Sequence, residues 1–449
     1  MMNLTAVILA AGQGTRMRSD LPKVLHPLLG KPMAYFAIEA ARLVTGKRPV
    51  LVIGHGADQV RQVLGDQVDY VIQEPQLGTG HALMQVEPFL TGKSNLVLVT
   101  YADMPLLTAE SLTRLVESAQ SQHSPITMMT VTTKNTRGFG RILRDPHGQV
   151  SGVVEEAQAS PEQLNIHELN PGVYCFNASW LWQALKRINL SPKGEYYLTD
   201  LVGMAVADGY IVRTIEMEDI DEVIGINTRL HLAQAEAILR QRINTHWMLA
   251  GVTMIDPAST YIEPDVTLGQ DTVLWPGTYL HGNTQVGAGC VIGPNTIIKD
   301  SIVGDHCTLL SSMLESAVLE NRVEMGPFCH LRKGAHLANG VHMGNFGEVK
   351  NSTLGPGAKM GHFSYVGDAT VGADVNIGAG TITCNFDGQS KYPTEIGEGA
   401  FIGSDTMLVA PVKIGAGSKT GAGAVVTRDI PPGTLAVGVP ARVIRELKK

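Results

Sequence analysis

The residues best suited to chemistry in the first half of the chain sit directly behind apolar runs. Leu4–Gly12 (LTAVILAAG) is a compact apolar stretch, and Gly12-Gln13-Gly14-Thr15-Arg16 follows without a spacer. A strand that ends in a glycine-rich turn offers backbone N–H groups to phosphate oxygens. The spacing is neither a Walker A loop nor a complete GxGxxG fingerprint, so a plain tight turn fits the same residues. Lys23, in Leu21-Pro-Lys-Val24, can reach a phosphate chain as a mobile point charge, the alternative being a solvated surface lysine. Gln73 and Gln76-Leu-Gly-Thr-Gly-His81 form a second polar, glycine-rich cluster. A glutamine amide pairs a donor with an acceptor, which suits the edge of a pyrimidine. Asp103, in Tyr101-Ala-Asp, follows apolar Leu96–Val99 at a strand's end. It reads as a Mg²⁺ ligand, because Mg²⁺ takes few protein carboxylates and keeps positions for substrate phosphates. A helix N-cap ahead of Met104-Pro105 and Thr108 is the other reading.

These positions require a sheet to hold them. Strand candidates recur at Val50–Ile53, Tyr70–Ile72, Leu96–Thr100 and Ile126–Val131, with helix-like Ala34–Leu43 and Ala109–Ala119 between them. The alternation predicts an α/β domain with a Rossmann-like sheet, and ligands in such sheets gather at the strands' C-terminal ends. The domain is expected over residues 1–227, ending near Asn227 in Gly225-Ile-Asn-Thr-Arg229. Arg229–Trp247 carries Leu232, Ala235, Leu239 and Ile243 on one helical face, so residues 228–250 are expected to be a connecting arm.

Residues 251–449 follow a different period. Apolar side chains fall every six positions at Ile262, Leu268, Leu274, Leu280, Val286, Ile292 and Ile298. The pattern slips and resumes from Met325 to Val349, from Leu354 to Val366 and at Val371 and Ile377, then returns from Ile396 to Val426. Neither a helix nor an ordinary strand has period six. A short strand plus a tight turn does, and three such units close a triangular coil filled by the anchor side chains. Cys384–Glu395 breaks the period and is expected to loop out. A solenoid without chemistry would carry the same pattern.

Composition narrows the class further. The 449 residues carry a net charge of −7 with no basic domain, which gives no sign of a nucleic-acid partner. Five cysteines without CxxC spacing read as reduced thiols of a cytoplasmic protein. No apolar run is long enough to span a bilayer, so no membrane role is expected.

Taken together, LAAGQGTRM, QLGTGHA, GEYYLTD and GHFSYVGD…VNIGAGTITCN resemble the motifs of the bifunctional N-acetylglucosamine-1-phosphate uridyltransferase/glucosamine-1-phosphate acetyltransferases. The resemblance implies that the second half is a left-handed parallel β-helix of hexapeptide repeats. It implies acetyl transfer from acetyl-CoA in that half, uridylyl transfer from UTP in the first half, Mg²⁺ as cofactor, and a homotrimer. By matching motifs, Leu9, Ala10, Ala11, Gly12, Lys23, Gln73, Gly78, Thr79, Tyr101, Ala102, Asp103, Gly140, Glu155, Asn170 and Asn227 would bind nucleotide and sugar. Asp103 and Asn227 would hold the metal. His362 matches the family's general base, and imidazole titrates near working pH. Without the resemblance His362 is one of fourteen histidines and an ordinary surface residue fits it as well. Glu348 is a candidate to orient it. Arg332, Lys350, Tyr365 and Asn376 match positions that hold the sugar phosphate, and Ala379, Asn385, Phe386, Ser404 and Ala422 match acetyl-CoA contacts.

Four departures stand out: Ala102 where Gly is common, Phe386 for a frequent Tyr, Pro171 for Thr, and no Arg at Gly438 although Arg442 lies nearby. The GHFSY motif and the outlooping CNFDG segment argue against two rival readings. One is a nucleotidyltransferase for another sugar and base with a non-catalytic β-helix, and the other is a regulatory or scaffold protein on the same folds.

Overall fold

The computed structural model describes residues 3–121, 124–136 and 138–447. The chain forms two compact units, Met1–Leu239 and Arg240–Lys449. Among the described residues no helix is long and apolar enough to cross a membrane.

The first unit is built on one mixed sheet. Its strands are β1 (Leu4–Leu9), β2 (Val50–Ile53), β3 (Asp69–Ile72), β4 (Leu96–Tyr101), β5 (Ile126–Thr132), β6 (Gly140–Arg144), β7 (Val150–Val154), β8 (Glu168–Asn170), β9 (Tyr174–Asn177) and β10 (Arg213–Glu216). Across the sheet they run β3-β2-β1-β4-β9-β5-β8-β6-β7, with β10 beside β5. Strands β3, β2, β1 and β4 are parallel, so Ile72, Ile53, Leu9 and Tyr101 end at one edge. Helices cover both faces, which explains why β1 and β4 are continuously apolar rather than alternating. Ala6, Ile8 and Leu98 enter one core with helices Met33–Thr45 and Ala109–Ser121. Val7, Leu9, Val97 and Val99 enter the other with helices Thr79–Met84, Ala178–Leu185 and Asp200–Ala207. Strand β9 runs antiparallel to β4, with Tyr174 opposite Val99. That reversal carries Asn170–Tyr174 to the edge where β1 and β4 end.

The second unit is a coil of three stacked sheets, of 12, 10 and 9 strands. Most strands are two or three residues long and pair in parallel with the strand one turn later. Val273 lies on Val291 and Tyr261 on Tyr279, an interval of 18 residues, or three hexapeptides. Ile262, Leu280, Ile298 and their successors point inward and are almost fully buried in one elongated core. Between Ile298 and Met325 the stack continues through Val303, Leu309, Leu314 and Leu319. The period of six lapses in this stretch of sequence because some steps have five residues instead of six. Each five-residue step turns on one non-glycine residue in the left-handed region, namely Asp300, Ser311, Ser316, Asn351 and Asp368. Asp and Asn tolerate that conformation better than other L-residues. The excluded segment is narrower than expected: strands Ile382–Cys384 and Thr394–Ile396 frame a loop over 385–393. Pairing across it widens to 25 residues, as in Ala369 on Thr394.

Helix Arg229–Leu249 contributes residues to both units. Asn244 is buried and its amide donates to the carbonyls of Pro257 and Thr260, at 2.8 and 3.0 Å. Ile243 and Trp247 pack on the coil's first turn, closing an end that would otherwise expose the core.

Candidate active sites

In the first unit the parallel edge opens into a cavity of about 520 Å³. Of the fifteen nucleotide and sugar positions expected from sequence, fourteen line it: Leu9, Ala10, Ala11, Gly12, Lys23, Gln73, Gly78, Thr79, Tyr101, Asp103, Gly140, Glu155, Asn170 and Asn227. Ala102 does not. Its side chain is fully buried in the core, and its N–H donates to Leu9 O at 3.0 Å, in the turn just past strand β4. The departure from Gly at this position therefore adds its methyl to the core.

The glycine-rich turn is shaped around Lys23. Gly14 has φ 64°, and a Cβ there would lie 2.6 Å from Lys23 Cβ. The Lys23 ammonium donates to Asp103 Oδ2 at 2.5 Å and to Asn227 Oδ1 at 3.3 Å. Arg16, outside the expected set although within the same motif, donates to Asn227 Oδ1 at 2.9 Å. Ile226 N–H donates to Asp103 O at 2.8 Å, which ties the two loops together. Asp103 is not the cap of helix Ala109–Ser121. Thr108 Oγ1 accepts from Ser111 N–H at 3.2 Å, and the buried Glu222 carboxylate accepts from Thr108 N–H at 2.9 Å. Among the described residues no cluster of three or more His, Cys, Asp or Glu side chains could hold a metal.

The QLGTGHA and GEYYLTD motifs meet at the opposite wall. Gly80 N–H donates to Tyr196 O, Tyr196 N–H to Leu77 O, and Leu198 N–H to Thr79 Oγ1, at 2.8, 2.8 and 3.1 Å. Gly78 has φ 93°, and a Cβ there would sit 2.7 Å from Tyr196 O, so no larger residue fits. Thr199 donates to Glu155 Oε1 at 2.8 Å. Burial, then the Asp103 and Glu155 carboxylates, push the Tyr101 phenol far above its ordinary range, so it stays a neutral wall residue.

In the second unit the expected residues follow the stacking. Turns Gly361–Phe363, Gly378–Gly380, Gly403–Asp405 and Gly421–Gly423 occupy the same corner in successive coils, linked by Gly380 N–H to Phe363 O, Asp405 N–H to Ala379 O and Gly423 N–H to Ser404 O. His362, Ala379, Ser404 and Ala422 are the middle residues of these turns and form one column. Below them the corner carries Phe328, Phe346 and Phe363, all more than half exposed, with Phe328 stacked on Phe346 at 5.2 Å. His362 is exposed at the junction. Glu348 does not orient it: Glu348 Oε1 accepts from Arg332 Nη1 at 3.0 Å, because opposite charges on adjacent turns pair first.

Arg332, Lys350 and Tyr365 belong to the 10-stranded face, whereas Asn376 stands on the 12-stranded face across the His362 corner. Lys391, which is not among the expected residues, joins the first group from the 385–393 loop. Its hydrogen bond and charge, with that of Arg332, hold the Lys350 ammonium below the usual lysine range. Its only signal in the sequence is a lysine inside the broken period. Asn385 is buried and donates to Asp368 Oδ2, so within this chain it fastens the loop's base. Phe386 is exposed and bridges backbone to Lys391. Burial raises the Asp368 carboxyl, but bonds from Asn351 and Asn385 and the charges of Lys391 and Lys350 win and hold it low.

A cavity at the edge of a mixed sheet, followed by a coil of hexapeptides, is a two-part architecture, and each part matches a transferase family. Residues 5–248 match the nucleotidyl transferase family, and residues 265–300 and 393–428 match the bacterial transferase hexapeptide repeats. The chain is 47% identical to the bifunctional protein GlmU of Syntrophomonas wolfei and 45% identical to that of an Exiguobacterium species, each over 97% of both chains. It is 46% identical to that of Pelobacter propionicus, over 99% of this chain and 98% of the relative. The chain belongs to the GlmU family of bifunctional proteins, and its coil is that family's left-handed hexapeptide β-helix. It is an enzyme with a nucleotidyltransferase and a hexapeptide transferase in one polypeptide.

Proposed function

We propose that residues 251–449 acetylate glucosamine 1-phosphate from acetyl-CoA and that residues 1–227 join the product to UTP, residues 228–250 connecting the two. The carrying observation is the column of His362, Ala379, Ser404 and Ala422 on the same coil as the Arg332, Lys350 and Lys391 cations, in the same chain as the Lys23–Asp103 cavity. The acetyl acceptor needs a neutral amine. His362 Nδ1 or Nε2 takes the proton as the amine nitrogen attacks the thioester carbonyl, and coenzyme A leaves as thiolate. The cations hold the sugar's phosphate. Small side chains at Ala379, Ser404 and Ala422 let a long cofactor lie along the corner.

In the first unit a sugar 1-phosphate oxygen attacks the α-phosphorus of UTP in line, and pyrophosphate leaves. This demands alignment and charge neutralisation rather than a protein nucleophile. Asp103 and Asn227 are the residues to hold Mg²⁺. Their fit rests on the lysine ammonium already accommodated between their oxygens. When bound, the ion neutralises phosphate charge. Lys23 and Arg16 are placed to pair with the triphosphate once released from Asp103 and Asn227.

We further infer a cytoplasmic homotrimer. Free thiols at all five cysteines support the compartment. The exposed phenylalanine ladder, and the placement of Asn376 on a different face from Arg332, support assembly with other copies.

One incubation with glucosamine 1-phosphate, acetyl-CoA, UTP and Mg²⁺ should yield UDP-N-acetylglucosamine, and EDTA should stop the second step. His362→Ala should abolish acetylation yet leave uridylyl transfer to supplied N-acetylglucosamine 1-phosphate. Loss of both activities in a folded variant would refute two separate sites.

A further inference from the structure

We infer that His81, which does not line the cavity, is a positioning residue that sets which nucleobase the first unit accepts. This rests on the uridylyl-transfer reading above. Gln73 is buried on the cavity wall, and its Nε2 donates to Gly78 O at 2.9 Å. The same Nε2 meets His81 Nδ1 at 3.2 Å. On the far side of the ring, the Gln85 amide nitrogen Nε2 lies 3.1 Å from His81 Nε2. A neutral imidazole has one donor and one acceptor nitrogen, so one ring nitrogen accepts from one glutamine and the other donates to the second.

The Gly78 carbonyl decides between the two arrangements. Turning the Gln73 amide over would bring its oxygen against that carbonyl, acceptor to acceptor at 2.9 Å. Gln73 therefore keeps its nitrogen toward Gly78, His81 Nδ1 accepts, and His81 Nε2–H donates to the Gln85 carbonyl oxygen. That orientation turns the Gln85 amide over, which gives up its 3.4 Å contact to His81 O and sets oxygen against oxygen at that longer distance, a smaller penalty than at the 2.9 Å of Gln73 and Gly78. His81 is held in turn by Tyr196, whose ring stacks at 6.2 Å.

Both N–H bonds of Gln73 are then committed inside the protein. Its Oε1 accepts from no described side chain and is the atom left to meet a ligand. Uracil has one N–H on its base edge, at N3, and Oε1 accepts it. Cytosine presents a lone pair at N3, so an acceptor would face an acceptor, and buried polar groups left unpaired carry a large penalty. The His81–Gln73 pair thus rejects cytosine while leaving the 5-position, and so thymine, unread.

The test is the kcat/KM of UTP and of CTP with N-acetylglucosamine 1-phosphate in the full chain. His81→Leu removes the Nδ1 acceptor and frees the Gln73 amide to reverse. The expected result is a roughly tenfold rise in KM for UTP, kcat within about twofold, and a fall of about tenfold or more in the UTP/CTP ratio. Gln85→Glu offers His81 Nε2–H an acceptor only, so its UTP/CTP ratio should match or exceed that of the unmodified enzyme. A folded His81→Leu enzyme with an unchanged ratio would overturn the inference, as would a ratio that collapses in Gln85→Glu. Should His81→Leu fail to fold, His81→Phe, which keeps a ring against Tyr196 but offers no Nδ1 acceptor, decides by the same comparison. An unmodified enzyme that turns over neither nucleotide would instead defeat the uridylyl-transfer reading.

Discussion

Arg332, Lys350 and Lys391 crowd one face of the coil, and the crowding is visible in the depressed Lys350 ammonium. Glu348 pairs with Arg332 and Asp368 lies near both lysines, yet the repulsion from Lys391 and Arg332 outweighs them at Lys350, and a bound phosphate would relieve it. Lys391→Ala should raise KM for glucosamine 1-phosphate about tenfold with little change in kcat, as expected for lost ground-state binding. The same enzyme should show weaker salt dependence. The pH dependence has a definite sign. Lys350 loses its proton at a lower pH than an ordinary lysine, so phosphate affinity should fall as pH rises through that lowered value. In Lys391→Ala the loss should move to higher pH. Steady-state kinetics across the alkaline limb measures both effects. The thiols offer a contrast: burial pushes Cys175 up to about 12, which leaves it inert.

At the scale of elements, the first unit depends on how helix Ala109–Ser121 is anchored below the cavity. Glu222 comes from the short helical turn Ile220–Val223, just ahead of Asn227. Its carboxylate accepts from the Thr108 N–H and hydroxyl and from the Ser111 hydroxyl, between 2.9 and 3.2 Å. One side chain thus closes the start of a helix and fixes the segment that carries Asn227. Glu222→Ala should destabilise the unit by about 1–3 kcal/mol. Urea unfolding would measure that, and uridylyl transfer should weaken while acetyl transfer persists. The coil has its own element-scale rule. Five-residue steps demand one residue tolerant of the left-handed region, supplied by Asp, Ser or Asn. That substitution of turn for strand is why the hexapeptide pattern vanishes from Ile298 to Met325 although the core does not.

For the whole molecule, the proposed trimer makes a mass prediction: light scattering should give about three times the 48.1 kDa chain. A parallel assembly would bring equivalent turns of each copy to one height, so the Phe328–Phe346–Phe363 ladder could interlock with its neighbours. Phe346→Asp should release monomers that lose acetyl transfer and keep uridylyl transfer. A fully acetylating monomer would refute the trimer. Much of this protein is legible in its sequence alone. The period of six by itself determines a coil, since a helix or an ordinary strand would return an apolar residue to its inner face at shorter intervals. The apolar runs ending in GQGTR, Gln73 and Tyr101-Ala-Asp determine which turns line one cavity, since parallel strands deliver them to one edge. Tertiary structure decides what depends on residues far apart in sequence. It sets Lys23 between Asp103 and Asn227, turns Ala102 into the core, gives Glu348 to Arg332 instead of His362, and brings Lys391 to Lys350 through a loop the period could only exclude. Those outcomes follow from hydrogen bonds and charges that meet only once the sheet and the coil have closed, and no local pattern of residues encodes which partner wins.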